Sequence, residues 1–322
     1  MKRLVFGRYA LSSSMAAAML AGCGGSQPPI GAPGAMTFQA SELGRARESS
    51  GYKVTAPLLY VTNYSAAYNN VTVYSANAKD PAPLATISDS VDTPSGDCID
   101  GQGTLYVTNQ PPSSGGWISE YPLGKTAPSK VIKSGVNTPA FCAIDAKGNL
   151  WVTNLGLDDV AEYAKGATKP RTLITNGLTF PVGIAIDQSD NLYVANGWDA
   201  SQQNVQVYAP GSKSPSRTIT DGVTWPVGIS VDSKGILYVA NAAQDNVEEY
   251  RSGQDDPFQT ITKAMVHPVD VTVNRKGLLY VTNMGNNTVV EFPPGSLTPL
   301  KRQVSEGLYD PEGAAYYPAV LP

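Results

Sequence analysis

The chain has 322 residues, a formal net charge of −4 and a sequence pI near 5.1, with 16% of its residues charged. No basic run or basic face is present, which argues against nucleic acid as a partner. A single histidine and three cysteines leave few metal-binding or nucleophilic constellations to consider.

Residues 1–22 read as an export leader. Lys2, Arg3 and Arg8 form a basic start, and a short apolar stretch broken by Ser12–Ser14 runs to Leu20-Ala21-Gly22-Cys23. Basic start, apolar middle and small residues at the cut describe a bacterial secretory signal. The stretch is too short to span a bilayer as a helix. The LAGC ending resembles the lipoprotein box, in which Cys23 becomes the lipidated first residue. The other reading is an ordinary signal peptide with a chance cysteine. Lipidation implies a protein anchored to the membrane rather than spanning it. Gly24 resembles the residue that follows the cysteine in outer-membrane lipoproteins of Gram-negative bacteria; a Gram-positive surface is the other setting. Residues 23–56 are rich in Gly, Pro, Ala and Ser, including QPPIGAPGA at 27–35, and read as a flexible tether.

From residue 57 the chain becomes periodic. LYVTN, LYVTN, LWVTN, LYVAN, LYVAN and LYVTN close on Asn63, Asn109, Asn154, Asn196, Asn241 and Asn283, a recurrence of 42–46 residues. One period contains four β-type runs, as in PVGIAID (181–187), LYVAN (192–196), NVQVY (204–208) and SRTI (216–219), joined by turn residues. The first two runs are apolar at almost every position, as in strands covered on both faces. The third is mixed and the fourth polar, as at an exposed edge. These features predict an all-β, six-bladed propeller of four-stranded blades over 57–318, followed by a short tail at 319–322. Only five proline-led first strands lie between the second strands, opening at Pro94, Pro139, Pro181, Pro226 and Pro268. The sixth is DPEGAAYYP at 310–318. It is expected to supply the inner strand of the N-terminal blade and so close the ring.

The repeat resembles the YVTN- and NHL-type propellers and, more loosely, the superfamily of gluconolactonase-like six-bladed propellers. The latter implies a central divalent metal held by Glu, two Asn and Asp, with ligands typically just after the inner-strand proline. Here those slots hold Ser95, Ala140, Val182, Val227 and Val269, and only Glu312 fits. Streptogramin-lyase-type propellers use more than one histidine, and this chain has His267 alone. No G-x-S-x-G elbow is present. Cys98 and Cys142 lie in apolar strands, where a thiolate is disfavoured.

The remaining candidates lie near the inner strands. In an up-and-down blade, the loop before the first strand and the loop after the second share one end of the ring. That end carries the residues before each proline, among them Phe180, Trp225 and His267 from three consecutive blades. Trp198, Tyr64 and Tyr68 lie in neighbouring loops. Such rings form a recognition patch for a sugar, peptide or protein, or each plugs a gap between blades. Asp97, Asp270 and Glu312 are the acidic candidates. Asp270 and Glu312, on neighbouring inner strands, either hold Ca²⁺ or another divalent cation or merely line a wet channel. The six closing asparagines read as turn pins rather than catalytic groups. Cys98 and Cys142, on consecutive inner strands, are either a disulfide permitted by an oxidising compartment or two small buried hydrophobes.

The expected protein is a monomeric, lipid-anchored propeller of the cell envelope that binds an envelope protein, peptide or carbohydrate without catalysis. The alternative is a divalent-metal-dependent hydrolase or lactonase with an atypical ligand set.

Overall fold

The computed structural model describes residues 51–54, 57–65, 68–197 and 199–318. Cys23, Trp198, the leader, most of the tether and the tail after residue 318 lie outside the described residues. Among the described residues no helix is long and apolar enough to cross a membrane.

The described strands form six four-stranded antiparallel sheets, and the inner strand of each packs against those of its two neighbours. The fold is a six-bladed β-propeller. Blade one is built from both ends of the repeat region. Its inner strand, Pro311–Tyr317, pairs with Leu58–Asn63, with Leu58 opposite Tyr317 and Asn63 opposite Pro311. The other inner strands are Pro94–Ile99, Pro139–Ile144, Pro181–Ile186, Pro226–Val231 and Pro268–Val273, in blades two to six. Joining the first and last strands in one sheet leaves no open blade at either end of the array.

Each inner strand shifts register against its neighbour just after the proline, as between Pro181 and Ile184 or Pro226 and Ile229. This bulge lies where the inner strands approach one another most closely. A Cβ on Gly183 would stand 2.2 Å from the Val227 carbonyl oxygen of the next blade, so only glycine fits there. The threonine of LYVTN repairs the ladder that the bulge interrupts. Thr153 Oγ1 accepts from the Phe141 N–H at 3.0 Å and donates to the Val182 carbonyl of the next blade at 2.6 Å. Thr62 and Thr108 do the same toward Ser95 and Ala140. The hydroxyl therefore satisfies one blade and ties it to the next.

The closing asparagines are completely buried. Asn196 accepts from the Thr179 N–H at 3.1 Å and donates to the Gly177 carbonyl and to Asn204 Oδ1, both at 2.9 Å. Asn241 repeats the set with Thr224, Gly222 and Asn246. Every amide atom is used to hold the loop that leads into the next inner strand, so these residues are structural pins.

Cys98 and Cys142 form a disulfide between the inner strands of blades two and three, with 5.6 Å between their Cα atoms. Packed sheets lie ~10 Å apart, but blades converge toward the axis, and the inner strands come within bonding range. Residues 51–54, at the end of the stretch read as tether, pack on the propeller. Tyr52 donates its N–H to the Gly124 carbonyl at 2.9 Å, and its hydroxyl is 2.7 Å from that of Tyr60.

Candidate functional site

The six residues preceding the inner-strand prolines share one backbone conformation. Thr93, Thr138, Phe180, Trp225, His267 and Asp310 all have φ between 45° and 51°. Non-glycine residues in this left-handed region cost about 1–3 kcal/mol each. The strain is held by a hydrogen bond from the preceding blade. The Phe180 N–H donates to Asp158 Oδ1 at 2.7 Å, Trp225 to Gln203 Oε1 at 3.0 Å, and His267 to Asp245 Oδ1 at 2.6 Å. Asp310 donates likewise to Asn287 Oδ1 at 2.8 Å.

The conformation belongs to the repeat, but the choice of side chain does not. Glycine would adopt it freely, whereas blades four, five and six place Phe, Trp and His there. Phe180 is 44% exposed and Trp225 39%, and His267 is also exposed. Neither Phe180 nor Trp225 is buried between blades. Around the ring, Tyr68 stacks on Tyr309 with centroids 3.8 Å apart, and both are exposed. Leu157 and Val266 add exposed apolar surface on the same end. Trp198, the fourth aromatic of this group in the sequence, lies outside the described residues.

The acidic residues occupy the channel. Asp270, Glu312 and Asp97 lie on the consecutive inner strands of blades six, one and two. Asp270 Oδ2 accepts the Ala314 N–H at 2.8 Å, and its Oδ1 fills the space left by the missing Cβ of Gly228. Burial pushes the Asp270 carboxyl up to about 8, against the Ala314 hydrogen bond. Burial, then the like charge of Asp310, raises Glu312 to about 7. Asp97 is raised well above the usual carboxylate range, first by burial and then by Asp270. Both Asp97 carboxylate oxygens are buried with no side-chain partner, only the backbone N–H groups of Asp97 and Ala315 standing near them, and the group lines a cavity of about 140 Å³ in the channel.

The donor chemistry here does not fit the gluconolactonase-like metal. Among the described residues, no group of three or more His, Cys, Asp and Glu side chains is clustered as ligands. The slots that would carry Asn or Asp hold valine, alanine or serine. Asp270 is already engaged with the backbone N–H of Ala314.

Two features of this site escape sequence reasoning. The left-handed backbone before each proline is invisible without coordinates. The burial of the Asp97 carboxyl away from any side-chain partner is the other.

No family model matches the chain, and no curated protein does. Solved structures do. The chain is similar to nidogen in the crystal structure of a nidogen/laminin complex, at 19% identity and a TM-score of 0.68, over 81% of this chain and 98% of that one. It is also similar to a putative 6-phosphogluconolactonase from Bacteroides fragilis, at 14% identity and a TM-score of 0.59, over 81% and 97% of the two chains. A protein of unknown function from Bacteroides caccae matches at 12% identity and a TM-score of 0.63, over 81% and 99%. At these identities the likeness is one of fold: this chain is a propeller of a shape that serves both binding and lactonase-like proteins.

Proposed function

We propose that the protein is a non-enzymatic binding propeller of the cell envelope, its repeat of the YVTN/NHL type, tethered through a lipidated Cys23. Its partner, an envelope protein, peptide or carbohydrate, docks on the end that carries Phe180, Trp225 and His267. One observation carries the reading: large rings stand exposed on a strained backbone where the fold itself asks only for a left-handed residue. The stacked Tyr68–Tyr309 pair extends the same surface. A fold neighbour solved in complex with laminin shows that this shape can serve protein recognition.

The test is capture of partners from envelope extract by wild type and by Trp225→Ala and Phe180→Ala, with a melting curve for each. Rigid aromatic anchors at an interface typically contribute ~2 kcal/mol or more, so capture should fall at least tenfold while the melting curve stays in place. Loss of thermal stability with capture retained would show that the rings are packing elements and that the docking surface lies elsewhere.

A further inference from the structure

We propose that the cleft between blades three and four, at the end opposite the aromatic rings, is a binding site for a neutral pyranose sugar. The cleft encloses about 380 Å³, within the ~300–1,000 Å³ usual for small-ligand sites. It is formed by the turn at 145–149, the start of the outer strand Thr172–Ile174, and the turn at 209–213 of the neighbouring blade.

The distinguishing residue is Trp151. It holds the slot where the other five repeats place tyrosine, and Tyr60, Tyr106, Tyr193, Tyr238 and Tyr280 are all buried. Trp151 alone of the six is partly exposed, and it forms part of the cleft wall. The indole is fixed. Its N–H donates to Asp145 Oδ2 at 3.3 Å, as the Tyr193 hydroxyl donates to Asp187 in the next blade. Asp145 is itself pinned by the Lys147 and Asn149 N–H groups and by Asn149 Nδ2, at 2.9, 2.8 and 2.6 Å. A larger ring has thus been set in the tyrosine frame, with its added surface beside the cleft.

The polar groups around it select the ligand. Three cations, Lys147, Arg171 and Lys213, face three carboxylates, Asp145, Asp190 and Glu162. Arg171 pairs with Glu162, and Lys147 lies 3.6 Å from Asp190. The charges cancel, so the cleft holds no net field for a phosphate or a carboxylate. It offers donors and acceptors side by side with a partly exposed indole in its wall. A pyranose ring presents an apolar C–H face for the indole and hydroxyls that both donate and accept. The site lies on another face from Trp225, so it is independent of the docking surface proposed above.

The test is ligand-observed NMR and calorimetry on the full-length protein in detergent, with glucose, galactose, mannose and their disaccharides as probes. Trp151→Tyr restores the residue that five blades already carry, so the blade should fold. Binding of at least one probe is expected, weakened about tenfold by Trp151→Tyr, severalfold by Lys213→Ala on the exposed turn, and not at all by Trp225→Ala. No sugar binding tighter than about 10 mM, equal binding by Trp151→Tyr with an unchanged melting curve, or preference for inorganic phosphate would each overturn the proposal.

Discussion

Replacing Asp270 by asparagine is expected to stabilise the propeller at pH 8 and to leave it unchanged near pH 4. In the folded protein burial holds this carboxyl up at about 8, against an ordinary value of 3.8. The folded state therefore keeps a proton that the unfolded chain gives up. A group with a raised folded value contributes stability fully below about pH 4 and loses it as the pH climbs through 8. The loss approaches 1.36 kcal/mol per pH unit, so over roughly four units the ceiling is on the order of 5 kcal/mol. Asparagine removes the proton equilibrium but keeps an oxygen to accept the Ala314 N–H. Chemical denaturation at pH 4, 6 and 8 reads the difference, which includes the relief of Asp97 from the Asp270 charge and acts in the same direction. The gap should open steadily with pH in favour of the variant. Curves that stay parallel within about 0.5 kcal/mol, or a variant less stable at pH 8, would mean that Asp270 is ionised in the fold and neutralised by something bound in the channel.

Removing the disulfide by Cys98→Ala with Cys142→Ala releases a loop of 44 residues, for which chain entropy gives a loss of about 4 kcal/mol, measurable by guanidinium unfolding. A loss below about 1 kcal/mol would show that the packed inner strands already restrict the unfolded chain or hold the blades without the bond. Deleting residues 310–322 strips blade one of its inner strand and exposes the apolar Leu58–Asn63 edge at the axis. Aggregation or loss of cooperative unfolding is expected by light scattering and calorimetry, and a soluble truncation that melts like the parent would refute closure by this strand. Cys23→Ala should abolish fatty-acid labelling and move the protein to the soluble fraction; membrane retention without label would place the anchor elsewhere.

The ring was legible because one pentapeptide carries three separate duties. Its apolar residues fill both faces of a sandwiched strand, its threonine bridges the bulge in blades one to three, and its asparagine pins a loop. A segment so constrained repeats almost unchanged, and its period survives drift elsewhere. The pre-proline positions were also legible, as a ring of six sites at one end, because each stands before a proline that recurs in every repeat. Their backbone strain was not, since Thr93 and Trp225 share a conformation that neither residue type announces. The cleft beside Trp151 left a trace that a sequence reader can find, the one tryptophan in a column of tyrosines. Its meaning depends on what the adjacent blade places opposite, and no period in the sequence reports that. Asp97 is the harder case. An aspartate one residue after a glycine bulge reads as a channel lining, and nothing in the sequence says that its carboxyl is buried without a side-chain partner.

Pairing Leu58 with Tyr317 brings both ends of the repeat region out of the same blade, on the side of the ring away from Phe180 and Trp225. The molecule is thereby given a handle and a front. Both ends of the repeat region thus leave the ring on the side that also carries the Trp151 cleft. A short linkage made directly at the strand ends Leu58 or Tyr317 should therefore preserve capture on the front while crowding the cleft, and sugar binding is best measured with the protein free in solution.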